Sequence, residues 1–274
     1  MSTGSIQPHN LRPAATWNAG GEQYDRISES IADSIEHAVI RLDPQVKDRV
    51  LDVATGTGWT ARRVATRGAR VVGLDLGADL IGAADRLAAR AGLEIDFRVG
   101  DAEQLMFEDE SFDAAISTCG VMFVTRPEAA AAELARVIRK GGRLALTTWT
   151  PDGAIAGMFQ VMRPYMAPPP SPPPPSPFAW GDQKRVEELL GRAFDLRFEL
   201  GTSVLRAPSG EWVWELFATS YGPTRALAGS LEPERREVLR RDFVAYHERF
   251  RGVLGIAMPR EYLVIVGTRR SSRT

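Results

Sequence analysis

Val50-Leu51-Asp52-Val53-Ala54-Thr55-Gly56-Thr57-Gly58 (VLDVATGTG) is the stretch whose reading decides the fold. An apolar run, Arg49 to Ala54, enters a Gly-bearing turn, and Trp59 to Thr66 leaves it with the composition of a helix. Glycine admits backbone angles closed to other residues and lets a ligand approach the main chain. The start of the following helix offers unpaired N–H groups to a carboxylate or phosphate. Strand–Gly turn–helix units occur in many nucleotide-binding folds, so the flanking sequence has to discriminate among them.

Downstream the pattern repeats. Arg70–Leu74 (RVVGL) predicts a second strand ending at Asp75, and Asp79–Arg90 a helix stopped by Gly92. Ile95–Val99 predicts a third strand ending at Gly100-Asp101, and Phe112–Ser117 a fourth. Pro127–Ile138 predicts a helix with Gly141-Gly142 beyond its end. Arg143–Trp149 (RLALTTW) is the fifth strand. Upstream, Ile31, Ile35, Ala38, Val39 and Leu42 follow a helical spacing over Ser28–Leu42, ended by Pro44. Strands alternating with helices imply an α/β, Rossmann-like fold: a mostly parallel sheet with helices on both faces. Ligands bind such sheets at the carboxyl ends of the strands. Asp75 stands there, about 20 residues past the Gly turn, suited to a ribose diol, and Asp101-Ala102 stands there for an adenine.

Composition narrows the function. Lys plus Arg is 34 against Asp plus Glu 35, so no overall basic excess points to nucleic acid. The single Cys119 excludes an internal disulfide and a Cys-rich zinc site, and His9, His37 and His247 lie far apart. Lys47, Lys140 and Lys184 are the only lysines, which limits Schiff-base chemistry. Met1–Pro13 lacks the apolar core of a signal peptide, and no run is long and apolar enough to span a bilayer. The expectation is a cytoplasmic protein without membrane insertion.

VLDVATGTG (50–58), VVGLDLG (71–77), VGDAEQLMFEDESFDAAIS (99–117) and ELARVIRKGGRLALTTW (133–149) together resemble the class I S-adenosylmethionine-dependent methyltransferases, in their UbiE-like small-molecule branch. The resemblance spans roughly residues 45 to 150 and fades beyond Thr150. It implies a seven-stranded sheet with added lid helices and S-adenosylmethionine as cofactor. Gly56, Thr57 and Gly58 would pack on its methionine part, with Asp52 supporting the turn and the amino group. Asp75 and Leu76 would hold the ribose, Asp101 and Ala102 the adenine, and Thr118 would be a further contact. Ala54-Thr55 departs from the pattern, since many relatives carry Gly-Cys or a second Gly there.

Two other functions compete. Gly56, Gly58 and Ala61 also satisfy G-x-G-x-x-G/A, so an NAD(P)-dependent oxidoreductase is an alternative, although no Tyr has the Lys four residues on that a short-chain dehydrogenase needs. The other is a non-catalytic or cyclase S-adenosylmethionine-binding protein, because fold does not prove reaction. After the fourth strand stands Thr118-Cys119-Gly120-Val121 rather than an Asn/Asp-Pro-Pro-Tyr segment, which argues against nucleic-acid bases and glutamine side chains as acceptors. No acid stands at that edge to hold magnesium. The expectation is metal-independent, direct in-line transfer to the oxygen, nitrogen or carbon of a small, fairly apolar acceptor, in a chain whose sequence is compatible with a homodimer.

The organisation expected is an N-terminal helical cap (1–45), the cofactor-binding core (46–150), and a remainder (151–274) with a Pro-rich insertion (166–180), lid helices and a closing strand. Asp182 is the N-cap of a helix over Gln183–Ala193. Phe194–Arg206 is strand-like, Ser209–Ser220 and Glu232–Phe250 are helices, and Glu261–Arg269 closes the sheet. Pro168–Pro177 (PPPSPPPPSP) favours stiff polyproline II. The Met- and aromatic-rich segment Met158–Trp180, with Phe159, and the helix carrying Trp214 are expected to wall the acceptor pocket. Candidate bases are His247 and Tyr24, with Tyr221 and His37 behind them. His37 lies off its apolar stripe, on a face expected to be solvated.

Overall fold

The computed structural model describes residues 5–168, 171 and 173–271. Eight strands form one sheet: β1 Arg49–Val53, β2 Arg70–Asp75, β3 Asp96–Val99, β4 Phe112–Thr118, β5 Ile138–Trp149, β6 Phe194–Ala207, β7 Arg251–Gly252 and β8 Gly255–Arg269. Their order is β3-β2-β1-β4-β5-β8-β6, with the two-residue β7 paired to β8. The first five are parallel, and β8 runs antiparallel between β5 and β6. The seven-stranded expectation thus holds for the main path, and β7 adds an eighth, short arm. From β1 the chain winds outward through β2 and β3, then crosses back to β4. That places a topological switch point between β1 and β4, where a crevice opens above the strand ends.

The helices in chain order are α1 Leu11–Asn18, α2 Asp25–Ser30, α3 Ala32–Leu42, α4 Trp59–Ala65, α5 Ala78–Arg90, α6 Pro127–Val137, α7 Ala154–Met162, α8 Gln183–Leu190, α9 Gly210–Ser220, α10 Gly222–Ser230 and α11 Pro233–Glu248. The helix expected over 28–42 is two helices, because the backbone breaks at Ile31 (φ −118°). Its apolar stripe survives the break: Ile31, Ile35, Ala38, Val39 and Leu42 are all buried. The Asp182 cap holds, its carboxylate accepting from the Lys184 N–H at 2.9 Å, but the helix stops at Leu190. Gly141-Gly142 does not cap α6. Both lie inside β5, beside an irregularity in its pairing with β4. A Cβ on Gly142 would sit 2.6 Å from Ile138 and 2.8 Å from two carbonyl oxygens, so the bulge requires glycine. Of the proline run, Pro169, Pro170 and Pro172 lie outside the described residues.

Candidate functional site

At the switch point a cavity of about 630 Å³, including its open mouth, is lined by Ala54, Gly56, Leu74, Asp75, Leu76, Leu80, Gly100, Asp101, Ala102, Glu103, Cys119, Gly120, Phe123 and Val124. Asn10, Trp17 and Tyr24 add a wall from the N-terminal segment.

The Gly turn is bound to the end of β2. Asp75 Oδ2 accepts from the Gly56 N–H and Oδ1 from the Gly77 N–H, both at 2.9 Å. Each oxygen keeps a lone pair for a further donor. Burial pushes the Asp75 carboxyl up, against the pull of these N–H groups. Gly56 has φ +57°, and a Cβ there would meet the Tyr24 ring at 3.2 Å. The missing side chain is what lets the tyrosine lie over the turn. Ala54 (φ +56°) and Cys119 (φ +53°) also adopt the left-handed conformation, rare outside glycine. Backbone strain of this kind clusters at functional sites. Here the two residues face one another's strand ends, and a Cβ on Gly120 would stand 2.6 Å from that of Ala54.

Of the residues singled out for the cofactor, Gly56, Asp75, Leu76, Asp101 and Ala102 line the cavity, and Asp52, Thr57, Gly58 and Thr118 do not. The second group lies behind the wall. Thr57 Oγ1 donates to Asp25 at 2.8 Å, and Thr118 shares a 2.6 Å hydroxyl pair with Thr60. Gly58 (φ +78°) packs against Phe97 and Ala84. Asp52 is 1% exposed; its Oδ2 accepts from Thr55 Oγ1 at 2.6 Å, and its Oδ1 has no partner among the described residues. Burial raises its carboxyl to about 7, outweighing the Thr55 and Ala61 hydrogen bonds, and the nearby Asp75 adds to the rise.

The raised Asp52 carboxyl has a testable consequence for the ligand-free protein. A folded-state value of about 7 lies well above the unfolded value of about 3.9. Protonated Asp52 therefore supports the fold fully below about pH 4, and that support is lost as pH rises to about 7. Each tenfold change in proton affinity between the folded and unfolded states is worth about 1.4 kcal/mol. Asp52→Asn should therefore gain on the wild type by a few kcal/mol between about pH 4.5 and 8. Denaturant melts across that range check it, and a constant difference between the two proteins would show that Asp52 ionises normally.

Sequence reasoning expected a helical cap over 1–45, with Tyr24 in it, but not the residues that seat it as a roof on the cavity. The Asp101 carboxylate is held from three sides: Oδ2 accepts from the Gln7 N–H (3.0 Å) and Asn10 Nδ2 (2.9 Å), and Oδ1 from the Glu103 N–H (2.9 Å). Asn10 Oδ1 accepts in turn from Thr125 Oγ1 at 2.7 Å. Glu103 receives the Thr125 and Arg126 N–H groups at 2.7 and 2.8 Å and meets His9 Nε2 at 2.6 Å. Burial works against its ionisation, but the His9 contact and these N–H donors hold it below the usual carboxylate range. Trp17 then packs edge-on against Phe123 (4.8 Å between centroids) and Tyr221 (5.5 Å), with Tyr24 stacked on Tyr221. The signal for these contacts is tertiary, so the cap can be read from the sequence but not the partners that hold it down.

The lid expectation needs correction. Trp214 is 3% exposed and packs against Phe243 in the α9–α11 interface, away from the cavity wall. Phe159 stands one ring behind it, stacked on Phe123 at 6.1 Å. The cavity is covered by Asn10, Trp17 and Tyr24, while α7, α9 and α11 back that cover. Among the base candidates, Tyr24 reaches the cavity and His247 does not. His247 is fully buried among Phe217, Phe243 and Tyr246; its Nδ1 lies 2.8 Å from the Phe243 carbonyl, and burial lowers its basicity. Burial raises the phenols of Tyr24 and Tyr221 well above their ordinary value and the Cys119 thiol to about 12, so all three are neutral near pH 7. His37 is half-buried, bonded to Tyr262 Oη at 3.0 Å and Glu199 at 3.1 Å, and is not freely solvated.

This geometry gives an open parallel sheet, a Gly turn, and acids after β2 and β3 around one cavity. Residues 51–146 carry a methyltransferase domain, and the fold is the Rossmann-like one of the class I methyltransferases, whose cofactor is S-adenosylmethionine. A methyltransferase-domain profile matches residues 51–146. An uncharacterised protein of Mycobacterium tuberculosis H37Rv is 38% identical over 191 residues, covering 68% of this chain and 69% of its own. The demethylmenaquinone methyltransferase of Renibacterium salmoninarum is 39% identical over 102 residues, 37% of this chain and 41% of its own. Among solved structures, a geranyl diphosphate methyltransferase in complex with its cofactor superposes with a TM-score of 0.53 at 20% identity, covering 86% of this chain and 84% of that one.

Proposed function

We propose that the chain transfers the methyl group to a small, fairly apolar acceptor at oxygen, nitrogen or carbon, without a metal ion. The observation that carries this reading is the division of the cavity wall: acids and glycines at the strand ends, and Trp17, Tyr24, Phe123 and Val124 on the roof side.

The residues present fit the cofactor. Asp75 retains lone pairs for a diol, Asp101 stands where an exocyclic amine would dock, and Leu74, Leu76, Leu80 and Ala102 offer apolar faces to a purine. The unpartnered Asp52 Oδ1, buried behind the Gly turn, is an acceptor whose ionised form an ammonium group nearby would favour. When bound, S-adenosylmethionine supplies a methyl group already activated on a sulfonium. The chain's task is then to align the acceptor atom and exclude water. Gly56, Ala54 and Gly120 leave room at the strand ends, and the Trp17–Tyr24–Phe123 rings close the space above. The neutral phenols and thiol suit an acceptor that brings its own nucleophilic atom to the site.

Among the described residues no group of three His, Cys, Asp or Glu side chains is placed to hold a metal. Nor is any described helix long and apolar enough to cross a membrane. Incubation with methyl-labelled cofactor and a metabolite panel, read by mass spectrometry, tests the acceptor class. Turnover is expected to survive EDTA. Complete loss that magnesium restores, or labelling confined to nucleic acid or protein, would overturn this reading.

A further inference from the structure

β6 forms one end of the sheet. It pairs with β8 throughout Phe194–Ala207 without a break in register, and its outer row of backbone N–H and C=O groups meets no strand among the described residues. A free edge of this kind is a template for another strand, and proteins blunt it with short strands, Pro, Lys or bulges. The opposite edge, β3, follows that rule with only four residues. β6 has fourteen residues and carries neither Pro nor Lys.

Its sequence is also self-complementary. Leu196-Arg197-Phe198-Glu199-Leu200 reads alike in both directions once Arg and Glu are taken as partners. Opposed residues of an antiparallel pair project from the same face and interact across it. A second copy related by a two-fold axis through Phe198 therefore sets Leu196 against Leu200, Arg197 against Glu199, and Phe198 against itself. Because side chains alternate along a strand, one face of this joint is apolar and the other charged.

The structure presents these side chains for such a joint. Leu200 is 71% exposed, while Leu196 and Phe198 are half-buried. Arg197 is exposed. Glu199 has Arg41 at 2.8 Å and His37 at 3.1 Å, and a carboxylate has acceptor sites left for a further guanidinium. Other registers match less well. An axis through Leu200 sets Arg197 opposite Ser203 and Glu199 opposite Gly201, without an ion pair. An axis through Leu196 sets Arg197 opposite Asp195, which Arg270 already meets at 3.0 Å, and the exposed Leu200 opposite Arg192.

We propose that β6 is the interface of a homodimer, in which two copies join edge to edge, antiparallel about Phe198, into one continuous sheet. The contact uses the same surface on both copies, so it closes at two. The cavity lies at the ends of β1, β2, β3 and β4, with β5 and β8 between it and the joint, so pairing leaves both cavities untouched.

Sedimentation of the full chain at micromolar concentration tests it, and the wild type should run as a dimer. Arg197→Glu and Glu199→Arg each set like charges opposite one another on both sides of the axis. Each alone should raise the dimer dissociation constant at least about tenfold. Mixed in equal amounts, the two variants should form dimers again, because each supplies the charge that the other lacks. Leu200→Asp, at an exposed position, should also dissociate the dimer while circular dichroism shows a folded chain. A monomeric wild type, a dimer indifferent to these substitutions, or a mixture no more dimeric than its components overturns the proposal. If Glu199→Arg fails to fold for want of its contacts with His37 and Arg41, Arg197→Glu and Leu200→Asp decide the matter, and a dimer that persists in both overturns it.

Discussion

Asp75→Ala is expected to weaken S-adenosylmethionine binding by about two to four orders of magnitude. Hydrogen bonds to a charged group contribute about 1.5–3 kcal/mol each, and the two carboxylate oxygens each have one free direction for a ribose hydroxyl. The substitution also removes the acceptors of the Gly56 and Gly77 N–H groups, at 2.9 Å each, and so loosens the turn itself. Calorimetry measures the loss, and circular dichroism separates it from unfolding. Unchanged affinity in a folded variant would remove Asp75 from the site.

Gly58→Val is expected to act on the fold. At φ +78° a β-branched residue is strained, and its Cβ would stand 2.7 Å from Phe97 Cζ and 3.1 Å from the Ala84 Cβ. The left-handed conformation costs about 1–2 kcal/mol and overpacking of a buried contact about 1–3 kcal/mol. The sum, about 2–5 kcal/mol, is a large share of a typical domain's stability. A denaturant midpoint lowered accordingly, with the slope unchanged, confirms it. A midpoint matching the wild type would mean that the helix start shifts to absorb the side chain.

Gly58 also shows where sequence reading stops. The G-x-G pattern locates a turn at a strand end, because glycine there reflects a local backbone need. It does not tell which glycine faces the ligand: Gly56 lines the cavity, while Gly58 makes room for Phe97 on β3. Asp75 and Asp101 were legible for the same local reason, each directly following an apolar strand. The seating of the roof was not. α1 spans only Leu11–Asn18 and contains Pro13, and α10 begins Gly222-Pro223. Both are poor helices in isolation, held by packing on one another: a Cβ on Gly222 would stand 2.6 Å from the Thr16 carbonyl oxygen. β8 begins at Gly255, six residues before the expected start at Glu261, and passes through Pro259, a residue type that argues against a strand. It is tolerated because β5 has ended by that point: Trp149 pairs with Tyr262, and Pro259 pairs only with Val204 of β6.

The most direct test of the central claim is calorimetric titration of the wild type with S-adenosylhomocysteine and, in parallel, with NADH. One-site binding of the first at micromolar or better affinity and no heat from the second is the predicted result. Saturable binding of NADH with none of S-adenosylhomocysteine would contradict the account, because the same turn and the same Asp75 would then serve a dinucleotide.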